Sequence, residues 1–236
     1  MRILVINPNT SAAMTKSIAH VLMEVKRPDS QVDVVNPAAG PEAIESAYDE
    51  ARAIPEMLKL VQKAPGQGYD GVVIACFSDP GLDAARELVD IPVVGIQEAS
   101  MYLAASLGSY FGVLTTLERR VPVRRRYADS LGLGEKMVAT PVLNIPVAET
   151  VGSLERMKSV AIAKGREAIA QGAEVLILGC AGLGDWSREI QRELGVPIID
   201  PNAAGLKLAE SLVDLGLCHS KVRTFQHPRF VLPLEG

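Results

Sequence analysis

The chain has 236 residues, with 24 Lys and Arg against 28 Asp and Glu, a net charge of −4 at neutral pH. That length builds one large or two small units with a proper core. The acidic balance gives no footprint for nucleic acid, and no run approaches the ~20 apolar residues of a membrane span. Three widely spaced cysteines argue against a disulfide framework and for a reduced, cytoplasmic protein.

Residues 2–6, Arg-Ile-Leu-Val-Ile, are too short for a signal-peptide core and predict a first strand. They end in Asn7-Pro8-Asn9-Thr10-Ser11, which suits a turn and a helix cap. Met14, Ile18, Val21, Leu22 and Val25 then recur at helical spacing. Residues 32–35 read as the next strand. Past a loop with Pro37, Gly40 and Pro41, residues 48–64 read as a helix that Pro55 either kinks or restarts. Residues 71–75 form the strand that delivers Cys76. Residues 91–94 make a short strand opened by Pro92, and residues 97–107 a helix ending near Gly108.

Residues 110–114 predict a strand whose exit carries Thr115 and Thr116. Residues 117–131 read as helical and crowd in Arg119, Arg120, Arg124, Arg125 and Arg126. Such a run fits a solvated or oligomer-facing surface better than a phosphate patch. Residues 138–143 predict a strand, 153–170 a long helix, and 175–178 the strand leading to Cys180. A short strand opened by Pro197 follows, and Asp200-Pro201 starts a last helix reaching Gly216. The segment from Thr224 onward yields no element.

Strands alternating with helices predict an α/β fold with parallel sheets, and the chain repeats itself. Each of Cys76 and Cys180 follows a buried-type strand and precedes a small-residue loop, a helix and a proline-opened strand. The strand ending at Asn7 has its counterpart in the strand ending at Thr115. The expected architecture is therefore two similar open parallel-sheet lobes related by pseudo-symmetry, with the active site in the cleft between them. Residues 1–96 plus 208–236 would form the first lobe and 97–207 the second.

A single cysteine at a strand end is usually just a small buried hydrophobe. Two in corresponding places suggest a facing pair, each before a helix N-terminus that would lower a thiol pKa from about 8.5 toward neutrality. Such a pair suits proton transfer across a planar carbanion, one thiolate removing the Cα proton and the opposite thiol returning one. Oxyanion donors would be the backbone N–H groups of Phe77, Ser78, Ala181 and Gly182 with the Asn7 amide. No metal or other cofactor is demanded.

Asn7-Pro8-Asn9-Thr10-Ser11, the segment from Ala75 to Leu82 and Leu178-Gly179-Cys180-Ala181-Gly182-Leu183 resemble the aspartate/glutamate/hydantoin racemase superfamily, and within it the hydantoin and allantoin racemases. The resemblance spans nearly the whole chain. It implies a two-lobed α/β fold and cofactor-independent racemisation by a cysteine pair, here Cys76 and Cys180, in an isomerase. The amino-acid racemase branch carries Asn-Thr after the first cysteine, where this chain has Phe77-Ser78. An aromatic residue, with no Arg or Lys adjacent to either cysteine, points to a 5-substituted hydantoin such as allantoin rather than a free amino acid.

Other residues keep structural readings beside functional ones. Asn7 caps the first turn or binds ligand; Thr115 and Thr116 border the cleft or satisfy loop backbone. Ser78 and Asp79 are expected to cap the helix after Pro80, Trp186 and Tyr48 to join the core, and Cys218 to be structural. His20, His219 and His227 fit helix surface or tail. The expected partners are a small hydantoin-like molecule and further copies of this chain, with no nucleic acid or membrane. Competing readings are an amino-acid racemase, an arylmalonate-decarboxylase-like enzyme and a non-enzymatic two-lobed metabolite-binding protein.

Overall fold

A computed structural model describes residues 1–149 and 154–231. Position 153, where the long helix was expected to open, and the end of the chain lie outside the described residues. The first half runs β1 (Arg2–Ile6), α1 (Ala12–Val25), β2 (Gln31–Val35), α2 (Ala47–Lys63), β3 (Gly71–Ile74), α3 (Leu82–Leu88) and β4 (Val93–Gly95). Next come α4 (Ile96–Leu107), β5 (Phe111–Thr115), α5 (Val121–Ser130), β6 (Met137–Ala139), α6 (Leu154–Ala170), β7 (Val175–Gly179), α7 (Ser187–Leu194), β8 (Ile198–Ile199) and α8 (Pro201–Asp214).

The strands form two four-stranded parallel sheets, ordered β2-β1-β3-β4 and β6-β5-β7-β8. The repeat read in the sequence is thus a repeat of topology. It extends to register: Ile6 pairs with Ile74 in one sheet and Leu114 with Leu178 in the other. Because side chains alternate across a strand, Val5, Val73, Val113 and Ile177 face a core shared by both sheets, which also takes Ile18 of α1, Met101 of α4 and Leu206 of α8. Leu4, Ile6 and Ile74 face the opposite way, toward Met57 of α2 and Ala85 of α3. Leu114, Leu176 and Leu178 do the same toward Met157 of α6 and Ile190 of α7.

Several local expectations change. The strand expected over residues 138–143 stops at Ala139, because Pro141 has no N–H to give a ladder. The chain still follows β5, with Thr115 N–H donating to Pro141 O at 3.0 Å and Leu143 N–H to Thr115 O at 2.8 Å. Pro55 sits inside a helix that continues unbroken from Ala47 to Lys63, started by the Ser46 hydroxyl accepting from Asp49 N–H. Tyr48 is 68% exposed and belongs to no core, whereas Trp186 is buried as expected. Cys218 is exposed, so it carries no packing role.

Asp79 does not cap the helix after Pro80. Gly81 holds that position without a side-chain cap. Asp79 instead reaches the start of α4, accepting from Gln97 N–H at 2.9 Å and Glu98 N–H at 2.8 Å. The chain after α8 lies on α3 and β4: Lys221 Nζ donates to the carbonyls of Arg86 and Val89, His219 Nε2 lies 2.9 Å from the Val93 backbone, and in the unassigned segment His227 Nδ1 lies 2.9 Å from Glu87 O. Among the described residues no helix is long and apolar enough to cross a membrane.

Gly179 ends β7 where the backbone of β5 leaves no room. A Cβ there would stand 2.5 Å from Leu114 O. Gly179→Ala is expected to cost ~2 kcal/mol of stability through overpacking against backbone, read as a lower urea midpoint at unchanged slope. An unmoved midpoint would contradict the close approach.

Candidate active site

The carboxyl ends of β1, β3, β5 and β7 meet at one cavity enclosing about 490 Å³ of empty space, part of it open to solvent. Cys76 lies two residues past β3 and Cys180 one past β7, and both line this cavity. Asn7, Phe77, Ser78, Thr116 and Ala181 line it with them. Thr115 and Gly182 do not. Thr115 is fully buried in β5, its hydroxyl without a hydrogen-bond partner among the described residues, and Gly182 is buried within the turn that follows Cys180.

The loop at Cys76 is a tight turn. Ser78 N–H and Asp79 N–H both reach Cys76 O, at 2.8 and 3.0 Å. Asp79 completes the turn at φ 45°, the left-handed region that Asp tolerates better than most residues. The Ser78 N–H is therefore spent on the turn and cannot serve as the expected oxyanion donor. Its hydroxyl lies 3.4 Å from Cys76 Sγ. The expected helix N-terminus is also displaced: α3 begins only at Leu82. Cys180 differs, since it stands directly before the helical turn Ala181–Trp186.

This setting reverses the expected direction at Cys76. Burial pushes its thiol up to about 11, opposed by the Ser78 hydroxyl and the Arg124 cation and reinforced by Cys180 and Glu50. Asp79 is likewise pushed up by burial, to about 6, against the pull of two N–H groups and of the Tyr127 hydroxyl, which donates to Oδ2 at 2.8 Å.

Asn7 is committed to its own loop. Its amide group donates to Asn9 Oδ1 at 2.8 Å, to Thr15 Oγ1 at 3.1 Å and to Ser11 O at 3.3 Å, more acceptors than it has hydrogens. It neither caps α1, which Ser11 does, nor holds a hydrogen spare for an oxyanion. Its role is to shape the wall.

The sequence reading missed Arg120 and Arg124. Of the five arginines around α5, Arg119, Arg125 and Arg126 are exposed as expected, but Arg120 and Arg124 are buried and line the cavity. Arg120 pairs with Glu50. Arg124 lies with its guanidinium carbon 4.8 Å from the Phe77 ring centroid and donates from Nη1 to Gln97 Oε1 at 2.9 Å. The signal was present: positions 120, 124 and 128 are one helical turn apart, and Ala128 is fully buried. The absence of a neighbouring cation in sequence is thus no absence in space. Glu45 also lines the cavity and accepts from Val147 N–H at 2.6 Å.

Two pseudo-equivalent sheets, each ending in a thiol on one cavity, define a two-lobed α/β protein with a cavity between the halves. The family model described as Asp/Glu/Hydantoin racemase matches residues 3–209. The hydantoin racemase of Pseudomonas sp. (strain NS671) is 42% identical over 229 residues, 97% of this chain and 92% of that one. The structure of allantoin racemase from Klebsiella pneumoniae matches with a TM-score of 0.94 and 38% identity, covering 98% and 95% of the two chains. Allantoin racemase from Pseudomonas fluorescens matches with a TM-score of 0.89 and 33% identity over 100% of both. The chain belongs to the Asp/Glu/Hydantoin racemase family, and with it to the racemases, a class of isomerases.

Among the described residues no group of three or more His, Cys, Asp or Glu is placed to hold a metal ion. Cys76 and Cys180 are the thiols on the cavity wall. A Cys76 that titrates near 11 is almost wholly protonated at neutral pH. Its alkylation by iodoacetamide is expected to speed up roughly tenfold per pH unit above neutrality, followed by mass mapping of the Cys76 peptide. A rate that levels off just above neutrality would contradict the burial effect.

Proposed function

We propose that this protein is a cofactor-independent racemase of 5-substituted hydantoins, allantoin among them, working by two-base proton transfer between Cys76 and Cys180. The observation that carries the reading is that two thiols from corresponding strand ends of opposite sheets line one cavity. The identity with hydantoin and allantoin racemases over nearly full length supports the substrate class.

In one direction the Cys76 thiolate takes the proton from C5 of the ring and becomes a thiol. The electron pair left on carbon delocalises onto the adjacent carbonyl as an enolate. The Cys180 thiol then delivers its proton to the opposite face and is left as a thiolate. The reverse direction exchanges the roles, so each cysteine serves as acid and as base. Phe77 offers an aromatic wall to the flat ring, and the Phe77 and Ala181 N–H groups are the backbone candidates for its carbonyl oxygens.

Such chemistry needs both thiols reduced, which suits the cytoplasm. We also expect copies of the chain to associate, since Tyr102, Leu103 and Leu107 leave apolar surface exposed on α4. The division into residues 1–96 plus 208–236 and 97–207 is retained as our reading, supported by Val213 of α8 lying close to Gly71 of β3 and by Glu210 accepting from Arg27 N–H at 3.0 Å.

One observation favours an amino-acid substrate: Arg124 could receive a carboxylate. Polarimetry and chiral chromatography decide, with allantoin and benzyl-, isopropyl- and methylthioethyl-hydantoin set against aspartate and glutamate. Inversion of a hydantoin with no turnover of the amino acids is expected. Cys76→Ala and Cys180→Ala should each lower steady-state racemisation at least 1,000-fold, as loss of one of two obligatory proton carriers requires. Each variant should still exchange the C5 proton of one enantiomer with deuterated solvent. Full inversion by either variant would overturn the two-base reading.

A further inference from the structure

Arg124 is an anomaly among the buried cations. Its side chain is 4% exposed, yet among the described residues it forms no ion pair with a carboxylate. Arg120, one turn earlier and equally buried, has Glu50, and Arg86 has Glu98. Among the described residues Arg124 has only a neutral amide oxygen of Gln97 and the face of Phe77, and its Nε is a buried donor with no acceptor. A guanidinium keeps its proton in a protein, and burying one without an opposite charge is strongly unfavourable. The counter-charge has to be supplied by something in the cavity that Arg124 lines.

The groups facing it are few. Arg120 is a second cation beside it, already neutralised. Asp79 contributes at a distance but is held by Gln97 N–H, Glu98 N–H and the Tyr127 hydroxyl. Glu45, also on the wall, is engaged by Val147 N–H, which leaves Cys76 and Cys180, both of which act on Arg124 through their charge. In the proton transfer set out above, one negative charge is conserved while it moves: it sits on one thiolate, then on the enolate oxygen, then on the other thiolate.

We propose that Arg124 is the stationary counter-charge of the site, pairing in turn with the first thiolate, the substrate enolate and the second thiolate. Phe77 and Gln97 hold the guanidinium in place, and the fixed cation stabilises a charge that never leaves the cavity. The inference rests on the two-base reading for its enolate step. The thiolate part can be tested without turnover.

Arg124→Met removes the charge and fills the space with an apolar chain, so a cation buried without a partner predicts a thermal midpoint at or above that of the wild type. A guanidinium kept only for packing and its Gln97 bond predicts a lower one. At one fixed, mildly alkaline pH the alkylation rate of Cys76, read from its own peptide, should fall at least about tenfold in Arg124→Met. Arg124→Lys should recover most of that rate by restoring a cation. The kcat for a hydantoin should fall about 100-fold in Arg124→Met with KM changing far less. A Cys76 alkylation rate unmoved in Arg124→Met, or Arg124→Lys behaving as Arg124→Met does, would overturn the proposal. If the alkylation rates follow expectation but Cys76→Ala still racemises, the two-base reading fails while the thiolate pairing stands.

Discussion

A closed ring of contacts ties the Cys76 turn to the rest of the molecule. From Cys76 the chain turns through Phe77 and Ser78 to Asp79, whose carboxylate holds the backbone N–H of Gln97. The Gln97 side chain holds Arg124, and Arg124 returns to the ring of Phe77. Three segments distant in sequence are locked to each other: the loop after β3, the first turn of α4 and the middle of α5. Gly95 belongs to the same constraint, because any side chain there would overlap the Asp79 carboxylate. The geometry at the thiol is therefore fixed by buried polar groups, where misplacement is costly in a way that it is not in a surface loop.

The two sheets could have been independent, and they are not. Val73 of one and Val113 and Ile177 of the other share one apolar cluster with α1, α4 and α8. Separating the halves would expose that surface at about 25 cal/mol per Å², so the distance across the cavity is set by the core and not left to a hinge. The pseudo-symmetry stops at the strand ends. Cys76 exits into a turn tied down by Asp79, whereas Cys180 begins a helical turn, and Phe77 stands where the other half has Ala181. The first half presents a flat aromatic wall and the second a small residue, with the Arg124 cation of α5 reaching the Phe77 ring from the second half. On the two-base reading proposed above, a site that acts on both faces of a ring needs two similar bases, but it gains from unlike walls that fix how the ring lies.

The strands and both cysteines were legible in the sequence because runs such as Val72-Val73-Ile74 and Leu176-Ile177-Leu178 are buried on both faces and read as continuous apolar segments. The repeat was legible for the same reason. What escaped depended on partners far along the chain. Asp79 looked like a cap for the nearest helix and instead holds the first turn of α4, accepting from Gln97 N–H eighteen residues later. Asn7 looked like a donor with spare hydrogens, which Asn9, Ser11 and Thr15 absorb. Arg120 and Arg124 were hidden among exposed arginines, since composition averages over a helix while burial selects one face of it. The thiol of Cys76 was expected to acidify at a helix terminus. Its turn is too tight to bring that terminus close, and burial decides the sign instead.

Finding Arg124 in the cavity removes the first argument for a neutral substrate, which was that no cation stood near either cysteine. It also supplies a better one. If the guanidinium balances a single negative charge, a carboxylate bound to it would take the place of the thiolate it supports. The site would then hold two anions against one unpaired cation, and Cys76, already pushed up by burial, would be harder still to ionise. A neutral ring adds no charge of its own, so the one negative charge can pass from thiolate to enolate to thiolate under the same cation. On this reading the preference for a hydantoin over an amino acid follows from charge balance in a buried cavity, with the aromatic wall of Phe77 deciding how the ring is presented to the two thiols.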